Sequence, residues 1–156
     1  MENAPEIALI EQTLNSMVSV AEDARAKAVN LEAELTKLPQ IQLPLRHFFS
    51  RGVYAREMTC PPGAAVTGRI HKYSQINILS KGKVSVLTDD GVITVSAPYT
   101  LVAEPGVKRA FYVHEEAVWT TICGSQLTDI DALEQELTVG TYEEFNALAL
   151  EQQKGN

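Results

Sequence analysis

The chain is short of cysteine, of aromatic side chains and of positive charge, and it has no long apolar run. Cys60 and Cys123 lie far apart and outside any CxxC pair. Two thiols in a chain of this size fit a reducing cytoplasm in which both are buried and reduced, with a single Cys60–Cys123 disulfide as the alternative. The net charge of −7 argues against nucleic acid and membrane surfaces as partners, since both need a positive field. No apolar stretch approaches the roughly 20 residues of a membrane span. The N-terminus lacks a basic n-region followed by an apolar h-region, so no export signal is expected. Nucleophile elbow, phosphate loop and dinucleotide fingerprint are all missing, as are internal repeats and low-complexity tracts. What remains is an ordinary composition, 45% hydrophobic and 21% charged over 156 residues, which suits one domain plus an appendage.

The appendage is N-terminal. Ile7, Ile10, Leu14, Met17, Ala21, Ala24, Ala28, Leu31, Leu35 and Leu38 are spaced by three and four without a break. This is a heptad seam over about five heptads, and it predicts a coiled-coil helix over 1–39. Pro5 suits the first turn, while Pro39 and Pro44 stop the helix. At about 1.5 Å per residue it would be about 48 Å long, too long to be covered by a small barrel. Self-association through the ten seam residues is therefore expected, with Lys27 facing Glu32 of a parallel partner. Packing of the helix on its own barrel is the alternative. Residues 40–45 form a proline-containing linker.

From residue 46 the pattern changes to short runs of β-formers bounded by turn residues. Strands are predicted near 47–50, 53–59, 64–71, 74–80, 82–88, 92–97, 99–103, 108–114 and 117–123. Asp89-Asp90-Gly91 signals a hairpin, and Pro61-Pro62-Gly63 and Pro105-Gly106 signal turns. So many short strands at close spacing predict a small β-sandwich or jelly roll over 46–124. Residues 125–156 read as one or two short helices. One opens at Thr128-Asp-Ile-Asp131. The other opens at the capping box Thr141-Tyr-Glu-Glu144 and carries Tyr142, Phe145, Leu148 and Ala149 on one stripe.

Within the β segment, Gly63, Arg69, His71, Gln75 and Gly82 are separated by five, one, three and six residues. This frame resembles the first signature of the cupin superfamily, in which a glycine is followed by His-x-His, a Glu and a second glycine. Of the metal ligands that the resemblance implies, only His71 is present; Arg69 and Gln75 stand at the other two positions. The second signature is matched by Pro105-Gly106, with Arg109 at its histidine and Val113 at its asparagine. The resemblance implies a mainly β fold, a cupin-like barrel or jelly roll. The substitutions imply a lost metal site, because guanidinium groups offer no lone pair and repel a cation. His47 precedes the barrel, and His114, an odd number of residues from Arg109, points to the opposite face. No metal, cofactor or catalytic residue is assigned.

Arg69, His71, Tyr73, Gln75, Arg109 and Phe111 would instead line a barrel mouth suited to a carboxylate, phosphate or sugar phosphate. The competing expectation is an inert barrel in which Glu57, Glu104 or the Glu115–Glu116 pair neutralises the arginines. Cupin-like epimerases use a histidine base oriented by an aspartate, and no aspartate is placed beside His71, so an isomerase or oxygenase is the third reading.

Residues Gly52–Met58, Thr67–Lys72, Ala97-Pro98, Pro105–Arg109 and Val118–Ile122 resemble the small cupin-like proteins of tailed bacteriophages and prophages, across roughly residues 44 to 138. The resemblance implies a phage context. The leading expectation is a non-enzymatic, homo-oligomeric virion component or accessory in the host cytoplasm or the particle. Its partners would be itself, other phage structural proteins or a host factor. A binding module for a small anion is the alternative.

Overall fold

The computed structural model describes residues 10, 12, 24–88 and 90–155. Its elements in order are α1 (Ala24–Leu35), β1 (Leu45–Ser50), β2 (Val53–Cys60), β3 (Ala65–His71), β4 (Gln75–Thr88), β5 (Gly91–Ser96), β6 (Tyr99–Ala103), β7 (Lys108–Gly124), α2 (Ile130–Leu137), β8 (Thr138–Val139) and α3 (Tyr142–Lys154). The protein is mainly β, a curled antiparallel sheet folded into two facing halves.

The two long strands β4 and β7 pass through both halves. The C-terminal half of β7 pairs with β2, which carries β1, and with the start of β4, which carries β6. The N-terminal half of β7 pairs with β3 and with the end of β4, which carries β5. The sheet turns where the β4–β7 register shifts between Leu79 and Val84. Gly82 sits at that corner with φ 89, a left-handed conformation that glycine adopts without a steric penalty. The sequence expectation of separate strands at 74–80 and 82–88, and at 108–114 and 117–123, is corrected here. Lys81-Gly82 and Glu115-Glu116 bend continuous strands rather than end them. Asp90 and Gly91 turn β4 into β5 as expected, with Thr88 opposite Gly91.

The core between the halves holds Met58, Cys60, Leu79, Val84, Val86, Phe111, Val113 and Trp119. Cys60 and Cys123 are both free and buried, so the alternative of a disulfide between them is not realised. On the outer face of the sheet, Phe48, Val53, Ile76 and Val102 are exposed. No described helix is long and apolar enough to cross a membrane.

Where the helix seam is described, it follows the alternative of packing on the chain's own barrel. Ile10, Ala28 and Leu31 are buried in one cluster with Leu87, Ala110 and Tyr112 of the chain's own sheet, and Leu35 and Leu38 pack against that cluster. Glu32, expected to face Lys27 of a parallel partner, is engaged within its own chain. Its carboxylate takes hydrogen bonds from Lys108 Nζ at 2.9 Å and Thr67 Oγ1 at 3.2 Å. The small Ala28 lets α1 lie close to the sheet, so these positions serve packing in cis. Ala24 begins α1 and is half-buried. Ile7, Leu14, Met17 and Ala21 lie outside the described residues. α1 ends at Leu35 rather than 39, where Gln40 Nε2 donates to the carbonyls of Leu35 and Leu38.

The C-terminal helices lie close to expectation. Asp129 caps α2 by accepting from Ala132 N, and Thr141 caps α3 by accepting from Glu144 N. In the stripe of α3, Ala149 is exposed, whereas Tyr142 and Phe145 cover the Pro105-Gly106 turn. Tyr142 Oη donates to Gly106 O at 2.8 Å, and Arg25 of α1 lies over both rings.

Candidate functional site

A cavity of about 520 Å³ opens between the two halves of the sheet, with α2 along its mouth. Strand pairing builds its floor from cross-strand rows. Leu45, Met58, Trp119 and Leu79 face one another in an apolar row. Two residues along, His47, Arg56, Thr121 and Asn77 form a polar row. Side chains alternate along a strand, so residues two apart share the inner face.

Five of the six sequence-predicted residues line this cavity: Arg69, His71, Gln75, Arg109 and Phe111. Tyr73 does not. β3 ends at His71 and the chain bends, so the alternation that would carry residue 73 inward stops and Tyr73 is 52% exposed. Arg69 sits at the rim, where Nε donates to Thr138 Oγ1 at 2.9 Å and pairs with Glu134 at 3.2 Å. Gln75 and Arg109 are buried. Phe111 stacks on Trp119 with ring centroids 4.9 Å apart.

The structure adds residues that sequence reasoning missed. Arg56 enters from β2 beside Thr121. His47, expected outside the barrel, lies on β1 and shares a 2.7 Å hydrogen bond with Tyr54 Oη at the cavity. Asn77 is 1% exposed; its Oδ1 accepts from Trp119 Nε1 at 3.2 Å and Thr121 Oγ1 at 2.9 Å. Its Nδ2 has no hydrogen-bond partner among the described residues. These two bonds assign the amide orientation, since both partners donate to Oδ1. His114 is exposed and bonds Ser85, away from the site, as the alternation predicts.

The charges at the cavity cancel in part, though not through the residues that the inert-barrel expectation named. Glu57 pairs with Arg46 and Glu116 with Lys81. The acidic residue lining the cavity is Glu134, and it is engaged with Arg69. No described carboxylate pairs with Arg56. Arg56 also acts on three cavity groups. Burial, then Arg56 and Arg109, push the His71 imidazole down to about 4. Burial raises Tyr54 and Cys123, and Arg56 partly offsets both. His71 is therefore neutral at pH 7, flanked by guanidinium groups from β2 and β7.

A metal does not fit this donor set. Among the described residues no group of three or more His, Cys, Asp or Glu could hold one. At the positions of the cupin-like frame, His71 and Gln75 stand with Arg69 and Arg109, and Arg56 adds further positive charge where a cation would sit.

His71 gives a pH test. Its folded pKa lies below the ordinary value of 6.5, so the fold favours the neutral ring. The contribution, about 3 kcal/mol, is complete above pH 6.5. It is lost as pH falls from 6.5 through 4, because the unfolded chain takes up the proton first. An NMR titration should show the His71 ring protonating near pH 4 in the folded protein; a midpoint near 6.5 would contradict the buried, arginine-flanked setting.

No protein-family model matches the sequence. No curated protein matches it either. Similar solved structures include a putative ethanolamine utilization protein Q from Salmonella typhimurium, 12% identical, covering 56% of this chain and 72% of that one with a TM-score of 0.47. A cupin-2 domain containing protein from Shewanella frigidimarina is 16% identical, covering 62% and 93%, with a TM-score of 0.45. A cupin superfamily protein from Desulfitobacterium hafniense is 15% identical, covering 59% and 85%, with a TM-score of 0.47. Likeness at this level concerns the fold alone, and the double-sheet description stands on the strand register given above.

Proposed function

We propose that the protein is a binding module for a small organic anion held in the cavity between the sheet halves. One observation carries this reading. Three arginines reach the cavity, its lining acidic side chain is engaged by Arg69, and Arg56 has no described carboxylate partner. In a protein of net charge −7, the Arg56 guanidinium thus stands at a recessed site without a described countercharge. A partly desolvated guanidinium there offers paired N–H donors to a carboxylate or phosphate. Catalysis has less support, because His71 has no orienting carboxylate within hydrogen-bond distance among the described residues.

The phage setting rests on the sequence resemblance, with the host cytoplasm or the virion as the location. A homo-oligomeric structural role has less support than the cavity, because Ile10, Ala28 and Leu31 are buried in cis. Assembly through the seam is left with residues outside the described ones.

The test is calorimetric titration with a panel of carboxylates, inorganic phosphate and sugar phosphates. At least one should bind, and Arg56→Ala should weaken it by about tenfold or more, the usual cost of losing a charge-assisted hydrogen bond. The same change should leave the melting temperature equal or higher, since a half-buried charge without a partner costs stability. If no panel member binds, or Arg56→Ala binds as well as the parent, the reading is overturned.

A further inference from the structure

The geometry points to an amphiphilic carboxylic acid as the ligand of this cavity: its carboxylate meets Arg56, and its ring-sized apolar body lies on Met58, Trp119 and Phe111. This deepens the anion-binding reading and rests on it.

The floor of the cavity is the first argument. The polar row of His47, Arg56, Thr121 and Asn77 lies beside the apolar row of Leu45, Met58, Trp119 and Leu79. Rows two residues apart are roughly 7 Å apart along a strand. A ligand spanning both therefore needs a charged head about one ring's length from its apolar body. Phe111 stacks on Trp119 from the other half of the sheet, so the body meets aromatic surface there.

The hydrogen-bonding groups are the second argument. Trp119 Nε1, the polar atom of the apolar row, is already spent on Asn77 Oδ1. That row therefore offers a sugar's hydroxyls no partners, and burying them there would be costly. Asn77 Nδ2 is the spare donor, in the polar row beside the charge. It suits the second carboxylate oxygen or a keto or hydroxyl oxygen next to it. Phosphate is commonly held by backbone N–H groups at helix starts and nests. Here β2, β4 and β7 commit their backbone to the sheet ladders, and the start of α2 is capped by Asp129. Of the polar groups that the strands present to the cavity, the Arg56 guanidinium, without a described carboxylate partner, and the Asn77 amide lie in one row and match a planar carboxylate.

Trp119 is the chain's single tryptophan and lines the cavity, so its fluorescence reports occupancy directly. The full-length protein is titrated with 3-phenylpropionate, acetate, inorganic phosphate and glucose 6-phosphate. The expected result is that 3-phenylpropionate perturbs Trp119 and binds about tenfold or more tightly than the other three, since only it carries an apolar ring to bury. Arg56→Gln should cost it about tenfold or more, and Arg56→Lys less, because lysine keeps the charge but loses the paired donors. Arg56→Gln is near in volume, and its circular dichroism checks the fold. Tighter, Arg56-dependent binding of phosphate or glucose 6-phosphate overturns this inference and leaves the anion site standing. Binding of 3-phenylpropionate that is unchanged in a folded Arg56→Gln overturns the inference through its anchor. If none of the four binds, the inference fails, and a negative result with the wider calorimetric panel takes the anion-binding reading with it.

Discussion

Replacing Gly82 by alanine is expected to cost about 3 kcal/mol or more, enough to remove much of a small domain's stability. Two effects add. The backbone at φ 89 is strained for any residue with a side chain. A Cβ at this corner would also meet the backbone carbonyl groups of Glu115 and Glu116 on β7. These cannot swing aside as a flexible side chain could, because they lie where the two long strands cross the bend. Gly91 provides the contrast. Its φ is 114, but a Cβ there would meet nothing within 4 Å, so Gly91→Ala should show the backbone strain alone. Urea unfolding of the two variants measures the difference. If Gly82→Ala loses no more than Gly91→Ala, the close crossing is not what demands glycine.

Glu32→Ala is expected to cost about 2–3 kcal/mol. Lys108 is only 3% exposed along its side chain, and Glu32 supplies its countercharge at 2.9 Å. Removing the carboxylate strands a buried ammonium with one hydrogen bond, to Gly68 O at 2.8 Å. The cost falls below that of a wholly buried pair because Glu32 itself is 40% exposed. Adding Lys108→Met should recover most of the loss, since two apolar-compatible side chains leave no charge to desolvate. Thermal unfolding of both single variants and the double variant closes the cycle. Equal losses that simply add would mean that α1 is not tied to the sheet through this pair. The outcome also bears on assembly: a helix held this way in cis has Ala28 and Leu31 committed to its own chain.

Much of the β framework was legible because its boundaries are written in residues with local conformational demands. Pro61-Pro62-Gly63 and Pro105-Gly106 mark turns, and Gly63 and Gly106 have φ 85 and 88. The acidic opening at Thr128-Asp-Ile-Asp131 and the capping residue Thr141 likewise announce α2 and α3. The continuity of β4 and β7 was not legible, because a glycine that turns a corner inside a strand looks the same in sequence as one that ends it.

The site divides in the same way. Arg69, His71, Gln75, Arg109 and Phe111 follow from a motif spacing and from strand alternation, both local properties. Tyr73 was misplaced because alternation holds only while the strand lasts. Arg56, His47, Asn77 and Trp119 belong to the cavity through cross-strand register, and Glu134 through the placement of α2 against β3. Nothing near Arg56 in the chain announces Thr121 as its neighbour.

The sequence by itself determined most of the turns, which regions are β and which helical, and that arginines stand at Arg69 and Arg109 beside His71 and Gln75. Only the tertiary structure decided that α1 packs in cis over its described length, that Arg69 is neutralised by Glu134, and that Arg56 faces the cavity without a described carboxylate partner. The physical reason is that turns and caps are set by the conformational limits of a few adjacent residues. Which side chains meet across the sheet is set by the pairing register of distant strands, and that register is chosen by burying a whole face at once.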